Sequence, residues 1–336
     1  MNGEALAALD GRRVGPHLPL RGNMVKAVAR AVEIGATAIQ IFSDNPTAWR
    51  RRSEPPAELP AFWDRLREAD IRPLAIHAPY LINLAAPDDT IWEKSVLALA
   101  GELAMAARYR AVLLNVHIGS HRGSGDEAGL RRIGRGIARV LAEVPSRSLG
   151  DSGEAAEAVT HVLPLLVLEN SAGGGDGMGS TVEELARILQ AIEAAGGDAA
   201  RVGLCLDTAH AWAAGYEISR PDATDRLLAE LDATVGPERL VMLHLNDSKA
   251  AFGSHLDRHE HVGAGSIGPV GMAHVLRHPR LAGLPYYLET PGMDEGYDAL
   301  NMDRVRRLIQ GLPLEPLPVE PPAARPARPR GRRATT

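Results

Sequence analysis

The chain has 336 residues, 45% of them hydrophobic and 24% charged, which suits one large domain or two small ones with a full core. No apolar run approaches the roughly 20 residues that a membrane-spanning helix needs, and the N-terminus lacks a stretch long enough for a secretory signal, so we expect no membrane partner. The formal net charge of −5 counts weakly against a nucleic-acid partner without excluding one, because binding depends on the local field.

Short apolar runs alternate with longer amphipathic stretches along the chain. The runs predict strands at 13–17, 38–42, 72–77, 111–117, 164–169, 202–207, 240–246 and 285–289. The amphipathic stretches include 24–34, 90–108, 127–143, 181–195 and 222–234, and the spacing of Thr181 and Glu184 is that of a capping box, which marks a helix start. Eight strands, each followed by a helix, are typical of a (β/α)8 TIM barrel, with a doubly wound open sheet as the alternative.

Two regions break this alternation. Residues 145–161 are polar and contain glycine and serine, which predicts an inserted loop. From residue 312 the chain is rich in proline, alanine and arginine, so 312–336 are predicted to be a disordered tail and 1–311 a single domain. The one cysteine, Cys205, rules out an intrachain disulfide. Its apolar neighbours predict a buried, unreactive thiol, which fits a reducing cytoplasm.

Side chains that can bind metal close seven of the eight predicted strands: His17, His77, His117, Glu169, Asp207, His244 and Glu289. In a barrel the C-terminal ends of the strands meet at one face, where active sites are built. A single histidine in such a position is usually a structural residue. Without a cation, seven such side chains would repel one another, and burying them would cost free energy. Divalent metal makes the cluster favourable.

Two further pairs follow strands. Asp207 and His210 lie three residues apart at a strand-to-helix turn, and Asp257 and His259 lie two apart, so that in an extended loop they face the same way. Either aspartate alone is equally well read as a turn or cap residue. Leaving His17 aside, these candidates are five histidines and four carboxylates. Without thiolates, such a set favours zinc, manganese or iron. Nine ligands exceed what one ion takes, so we predict two or three metals, a kind of site that hydrolyses phosphodiesters.

At these residues the sequence resembles the endonuclease IV family, over about residues 13–311. The matching segments are IHAPYLINLA (76–85), NVHIGSH (115–121), VLENSAGGG (167–175), GLCLDTAHAWAAGY (203–216), MLHLNDSKAAFGSHLDRHEHVGAGSIG (242–268) and LET (288–290). The resemblance implies a xylose-isomerase-like TIM barrel and a monomeric, zinc-dependent AP endonuclease of base-excision repair. Its substrates would be double-stranded DNA with abasic sites or blocked 3′ ends. A metal-activated hydroxide would attack the phosphate 5′ to the abasic site, leaving a 3′-hydroxyl and a 5′-deoxyribose phosphate.

The resemblance also implies roles for the nine candidate ligands, with three Zn²⁺ ions per chain. The implied sets are His77, His117 and Glu169 for the first ion; Glu169, Asp207, His244 and Glu289 for the second; and His210, Asp257 and His259 for the third. Glu169 would bridge the first two ions. Glu169 and Glu289 are the candidate catalytic carboxylates, and no separate serine or cysteine nucleophile is needed.

One loop departs from the family pattern. After the second strand the family usually presents an arginine that wedges into the DNA where the abasic nucleotide is extruded, whereas this chain reads FSDNPTAW with Thr47 at that place. Arginines follow at 50–52, and Arg50 is a candidate substitute. The family's other penetrating loop is kept, with Tyr80 and Leu81. We therefore expect DNA contacts from these two loops.

Two other functions remain open. A sugar isomerase or epimerase of the related barrels would also use glutamate, aspartate and histidine to hold one or two metals. Such an enzyme needs no third set of ligands and no DNA-loop motif. A catalytically idle DNA-binding or scaffold protein of this fold would most easily be signalled by lost ligands, and none of the nine is lost.

Overall fold

A computed structural model of the chain describes residues 2–20, 23–144 and 163–318. Within these residues eight strands form one sheet: Val14–Pro16 (β1), Ile39–Phe42 (β2), Leu74–His77 (β3), Leu113–His117 (β4), Leu165–Glu169 (β5), Val202–Asp207 (β6), Leu240–His244 (β7) and Tyr286–Leu288 (β10). Two short strands, Asp247–Ser248 (β8) and His259–Glu260 (β9), pair with each other in an antiparallel ladder. The spatial order of the large sheet is β1-β10-β7-β6-β5-β4-β3-β2, and its neighbouring strands are all parallel.

The first and second strands meet across the remaining seam and close the sheet. His17 forms a parallel bridge with Gln40. The backbone N–H of Leu18 donates to the carbonyl of Gln40 at 2.8 Å, and the N–H of Thr37 donates to the carbonyl of Val14 at 2.8 Å. An open sheet would leave these two strands as separate edges. The predicted (β/α)8 TIM barrel is therefore confirmed, and the doubly wound alternative is wrong.

Helices form the layer outside the barrel. In the described residues they are Asn2–Ala8 (α1), Met24–Glu33 (α2), Leu59–Glu68 (α3), Asp89–Arg108 (α4), Asp126–Glu143 (α5), Val182–Ala194 (α6), Thr208–Ala214 (α7), Pro221–Thr234 (α8), Gly268–Arg277 (α9) and Tyr297–Gln310 (α10). The five helices predicted above begin and end within one residue of their predicted bounds. Thr181 caps α6 by accepting the N–H of Glu184 at 3.1 Å, while the Glu184 carboxylate accepts the N–H of Ser180 at 2.9 Å. The capping box is thus present with its second bond displaced by one residue.

Alternate residues of each strand point into the barrel and form layers. The lower layer is an apolar plug of seven side chains: Ala38, Ala75, Leu113, Val167, Cys205, Met242 and Tyr287. β1 contributes Gly15 at this level, where a Cβ would lie 1.6 Å from the carbonyl oxygen of Ala38, so only glycine fits. Burial raises the pKa of the Cys205 thiol to about 12, in agreement with the predicted unreactive cysteine. The next inward layer, towards the C-terminal ends of the strands, is polar.

The two irregular regions differ in what the structure describes. The insertion predicted at 145–161 lies outside the described residues. Residues 312–318 of the predicted tail lie beside α10, where Leu314 packs against the core and Arg304 Nη1 donates to the carbonyl of Glu315 at 2.7 Å. The rest of the tail, from 319, lies outside the described residues. In the part of the chain that the structure covers, no helix is long and apolar enough to cross a membrane.

Candidate metal centre

The polar layer at the mouth of the barrel is built by strand register. His117 of β4 is paired with Glu169 of β5, and Asp207 of β6 is paired with His244 of β7. Because every second residue of a strand points inward, these four side chains enter the same space above the apolar plug. The structure brings all nine predicted ligands together in this layer and the loops beside it.

Glu169 lies at the middle of the layer and is fully buried. Its Oε2 atom is 3.6 Å from Nε2 of His77 and 3.6 Å from Nδ1 of His117. Its Oε1 atom is 3.2 Å from the Nδ1 atoms of both His210 and His244. Each carboxylate oxygen therefore faces a different pair of histidines, an arrangement suited to a carboxylate shared by two ions.

The second predicted set lies on the other side of this carboxylate. Nδ1 of His244 is 3.3 Å from Oε2 of Glu289 and 3.8 Å from Oδ2 of Asp207. One donor atom from each of these residues and from Glu169 lies within 4.8 Å of the others, and the same holds within the first set. Each set thus converges on a space of the size that one ion occupies.

The third set joins α7 to the loop between β8 and β9. Oδ2 of Asp257 lies 3.2 Å from Nε2 of His210, and its Oδ1 lies 3.2 Å from Nε2 of His259. Asp207 serves this region as well, because its Oδ1 accepts the N–H of His210 at 2.9 Å as the cap of α7. Its Oδ2 accepts from Asn246 Nδ2 at 2.7 Å and lies 3.6 Å from Nε2 of His259. Asp207 therefore caps α7 and also lies within the cluster of predicted ligands.

The charges of the cluster are strongly coupled. Burial lowers the pKa of His259, but Asp207 and Asp257 more than offset this and raise it to about 9. Burial raises the pKa of Glu169, and His117 and His244 reverse the effect and hold it well below its usual value. Protons on the imidazoles thus balance the buried carboxylates when no other cation does. A metal ion that binds here displaces such protons.

The donor atoms fit divalent metal. Nε2 of His77 is buried without a hydrogen bond, which is costly for a polar atom. Glu169 and Asp207 are wholly buried, and no lysine or arginine of the described residues forms an ion pair with either. Divalent ions would supply a partner for Nε2 of His77 and the positive charge that imidazole protons otherwise provide.

Two amide side chains that the sequence analysis missed hold the carboxylates in position. Asn115 Nδ2 donates to Oε2 of Glu169 at 2.6 Å. Gln40 Nε2 donates to Oε1 of Glu289 at 2.7 Å, and Gln40 Oε1 lies 3.0 Å from Nε2 of His244. The sequence did carry a signal: each amide interrupts an apolar run of its strand, at an inward-pointing position. Gln40 also completes the polar layer on β2, the one strand that no metal-binding side chain was predicted to close.

His17 lies at the edge of the cluster, on the seam between β1 and β2. Its Nδ1 atom is 3.3 Å from Oε1 of Glu289 and 3.0 Å from Nε2 of Gln40. Burial lowers the pKa of His17, and its ring packs 4.3 Å from that of Phe42. This histidine therefore supports the position of Glu289.

The cluster opens into a cavity of about 300 Å³ lined by His17, Tyr80, His117, His210, Asp257, His259, Glu289, Thr290 and Met293. Tyr80 is 56% exposed at the rim, and Leu81 beside it is half-buried. A larger cavity of about 630 Å³ lies at the other end of the barrel, near Trp63 and the start of β3. No group of potential metal ligands in the described residues lines that cavity, so chemistry and not volume distinguishes the site.

The loop after β2 lies near this mouth and is fixed by ion pairs. Arg51 Nε donates to Oε1 of the buried Glu102 at 2.6 Å, and Arg52 pairs with an aspartate of the same loop at 3.4 Å. Thr47 is exposed and bonds within its own turn. Arg50 is exposed and has no hydrogen bond or ion pair within the described residues. Of the three arginines, Arg50 is the one that is not already held by the protein.

Comparison with known proteins agrees with this geometry. A sequence model of the family described as "Xylose isomerase-like TIM barrel" matches residues 28–312. The chain is 41% identical over 295 residues to probable endonuclease 4 of Methanoculleus marisnigri, covering 88% of this chain and 98% of that protein. It is 38% identical over 295 residues to probable endonuclease 4 of Halothermothrix orenii, covering 87% and 99%.

Solved structures were compared with the chain as well, and they include a member of the endonuclease IV family. Endonuclease IV from Thermus thermophilus superposes with a TM-score of 0.74 at 36% identity, covering 89% of this chain and 99% of that one. A D-tagatose 3-epimerase-like protein superposes with a TM-score of 0.60 at 14% identity over 89% of this chain and 98% of that one. The second likeness is one of fold alone.

Proposed function

The chain belongs to the endonuclease IV family, and from that premise we propose that it is a zinc-dependent AP endonuclease of base-excision repair. It hydrolyses the phosphodiester 5′ to an abasic site in double-stranded DNA, leaves a 3′-hydroxyl and a 5′-deoxyribose phosphate, and trims blocked 3′ ends. The observation that carries the proposal is the third set of donors, His210, Asp257 and His259, beside the two sets that a metal-dependent isomerase would also use.

The three sets of side chains would hold three zinc ions, and Glu169 would be shared between the first two. Bound divalent ions supply an activated water and offset the charge on the attacked phosphate and the departing oxygen. The residues of the chain determine where this happens. Asn115 and Gln40 hold the carboxylates of Glu169 and Glu289 against the histidines, so that the donors keep their spacing when the substrate enters.

The DNA contacts come from the two loops at the mouth. Tyr80 and Leu81 stand at the rim, where they would contact the DNA around the extruded nucleotide. Thr47 is too short to fill the space that a wedging arginine fills. We assign that role to Arg50, because it is exposed and has no hydrogen bond or ion pair with any described residue, whereas Arg51 is held by Glu102. Extruding a nucleotide costs a few kcal/mol, part of which such a side chain recovers.

The protein acts as a monomer built on one domain, residues 1–311, and works in the cytoplasm. A buried thiol whose pKa is raised to about 12 is compatible with any redox state of that compartment, since it is neither exposed nor ionised. The substrate, and not a membrane or a protein, is the partner that the cluster at the barrel mouth supports.

A cleavage assay tests the proposal. Purified protein with zinc is incubated with an end-labelled duplex that carries a single stable abasic analogue, and with the same duplex without it. We expect a single cut at the analogue, and the 3′ end of the upstream product should be extended directly by a DNA polymerase. Extension requires a free 3′-hydroxyl, which a β-elimination lyase does not leave.

The matched control is Glu169→Gln, which keeps the shape of the side chain and removes its charge. The proposal fails if the wild type leaves the abasic duplex intact while converting a ketose or aldose substrate in the presence of the same metals. It also fails if Glu169→Gln and the wild type cut at equal rates, because the cluster would then be irrelevant to cleavage.

A further inference from the structure

A second cluster of metal-binding side chains lies outside the barrel, between α8 and α9. Its members are Asp225 on α8, His274 in the last turn of α9 and His278 just after that helix. None of the three belongs to the mouth of the barrel, and none has a part in the proposed cleavage. Along the chain α8 precedes β7 and α9 follows it, and in the fold the two helices pack against each other. The cluster therefore joins neighbouring helices of the outer layer.

The three side chains converge on one point. Oδ1 of Asp225 lies 2.6 Å from Nε2 of His274 and 3.4 Å from Nε2 of His278. The two histidines are four residues apart, the spacing that brings side chains to the same face of a helix. Their ring centroids are 5.4 Å apart. Two imidazole nitrogens and one carboxylate oxygen therefore lie within 4.8 Å of one another.

The charges around Asp225 set it apart from its neighbours on α8. Asp222, one turn earlier, pairs with Arg220 and Arg226, and Asp232 pairs with Arg280. Among the described residues, Asp225 has no lysine or arginine partner and faces only the two histidines. Its negative charge is thus left for a cation that the imidazoles help to bind.

Two further features favour a cation at this point. The C-terminal end of a helix carries partial negative charge from its free carbonyl groups, and His274 and His278 lie at that end of α9. Burial lowers the pKa of His278, which keeps its imidazole neutral and able to bind metal. Metal binding at Nε2 of His278 moves the ring proton to Nδ1. Nδ1 then no longer accepts the backbone N–H of Arg280, which lies 3.2 Å away, so this one hydrogen bond is lost.

We propose that Asp225, His274 and His278 bind one divalent transition-metal ion of the zinc class, in addition to the ions at the barrel mouth. Two imidazoles and a carboxylate suit zinc, and water completes the coordination, since the cluster is at the surface. The ion links α8 to α9 across the outer layer. It stabilises the folded chain because the three donors are brought together only in that state.

The test uses the full-length, untagged, zinc-loaded protein. Wild type, Asp225→Asn and His274→Gln are dialysed against micromolar zinc, and the metal content per chain is measured by elemental analysis. The matched control is Asp222→Asn, a carboxylate on the same helix that pairs with arginines. We expect the wild type and Asp222→Asn to hold one zinc more than the other two variants.

Thermal unfolding provides the second readout. At a zinc concentration about 100 times the dissociation constant, the Tm of the wild type and of Asp222→Asn should rise by roughly 4 °C more than that of Asp225→Asn. Cleavage of abasic DNA should be equal in all four proteins. Equal zinc contents in wild type and Asp225→Asn would overturn the proposal. So would a Tm difference that is the same with and without added zinc, because a plain histidine–aspartate ion pair behaves in that way.

Discussion

Replacing Arg51 with methionine removes the cation that lies against a buried carboxylate in the loop after β2. Glu102 is only 2% exposed, and it accepts from Arg51 Nε and from Ser43 Oγ, each at 2.6 Å. Methionine keeps much of the aliphatic length of arginine and none of its charge. The variant therefore leaves Glu102 buried beside a neutral side chain.

The magnitude follows from the burial of this pair. Removing one partner of a buried ion pair costs about 3–5 kcal/mol, and we take the lower end, about 3 kcal/mol, because Arg51 retains some contact with water. Protonation of the carboxyl limits the loss to about 1 kcal/mol, the value of the hydrogen bonds alone. The loss of stability should therefore depend on pH.

The direction of that dependence is fixed by the pKa of Glu102. Burial raises it even with Arg51 in place, and without the arginine it rises further. A carboxyl whose pKa is higher in the folded state than in the unfolded state binds more protons when folded. Stability then falls as the pH rises from the unfolded value of about 4.3 through the folded value. Arg51→Met should thus be more destabilising at about pH 8 than at about pH 6.

Equilibrium urea unfolding at both pH values measures the effect. Arg50→Met is the matched control, because Arg50 is exposed and makes no hydrogen bond or ion pair in the part of the chain that the structure describes. Adding Glu102→Gln to Arg51→Met should restore most of the lost stability, since no buried charge remains. The reasoning is refuted if the two methionine variants unfold at the same urea concentration at about pH 8. It is also refuted if the loss in Arg51→Met does not shrink at the lower pH.

Three further predictions concern the site itself. Glu169→Gln should lower the rate of abasic-site cleavage by several orders of magnitude while gel-shift affinity for the duplex largely persists, and a rate within a few-fold of wild type would contradict its bridging role. Arg50→Ala should raise the KM for an abasic duplex more than the KM for a 3′-phosphate end. Thr47→Arg should tighten binding of the abasic duplex. If neither variant changes the affinity for that duplex, the loop takes no part in binding it. Zinc stripped by a chelator should rebind more weakly at about pH 6 than at about pH 8, because the metal must displace protons from imidazoles such as His259, whose pKa is raised to about 9; equal affinities by competition titration would contradict this.

Much of the fold and of the cluster follows from pattern in the sequence. Period-two alternation places His77, Glu169 and His244 on the inward face, and parallel strands bring their ends to one mouth. Helix bounds follow from the 3.6-residue period and from caps such as Thr181. These features are local, so a single sequence carries them.

The contacts that pattern does not predict join residues distant in the chain. Gln40 and Glu289 are 249 residues apart, and Arg51 and Glu102 are 51 apart. An amide in an apolar strand has no partner that the sequence identifies, and three consecutive arginines at 50–52 look alike until the buried glutamate is placed. Register and packing decide such pairs, and both depend on the whole barrel.

The seam between β1 and β2 also bears on how the protein is made. Glu289, which follows β10, is the last of the nine donors in the chain, and its carboxylate meets Gln40 across the seam that His17 bridges. A nascent chain has neither a closed barrel nor a full donor set until that residue has left the ribosome. Closure of the barrel and completion of the donor set thus depend on the same segment of the chain. Chains that end before Glu289 therefore lack one of the nine donors, and we expect them not to cut DNA.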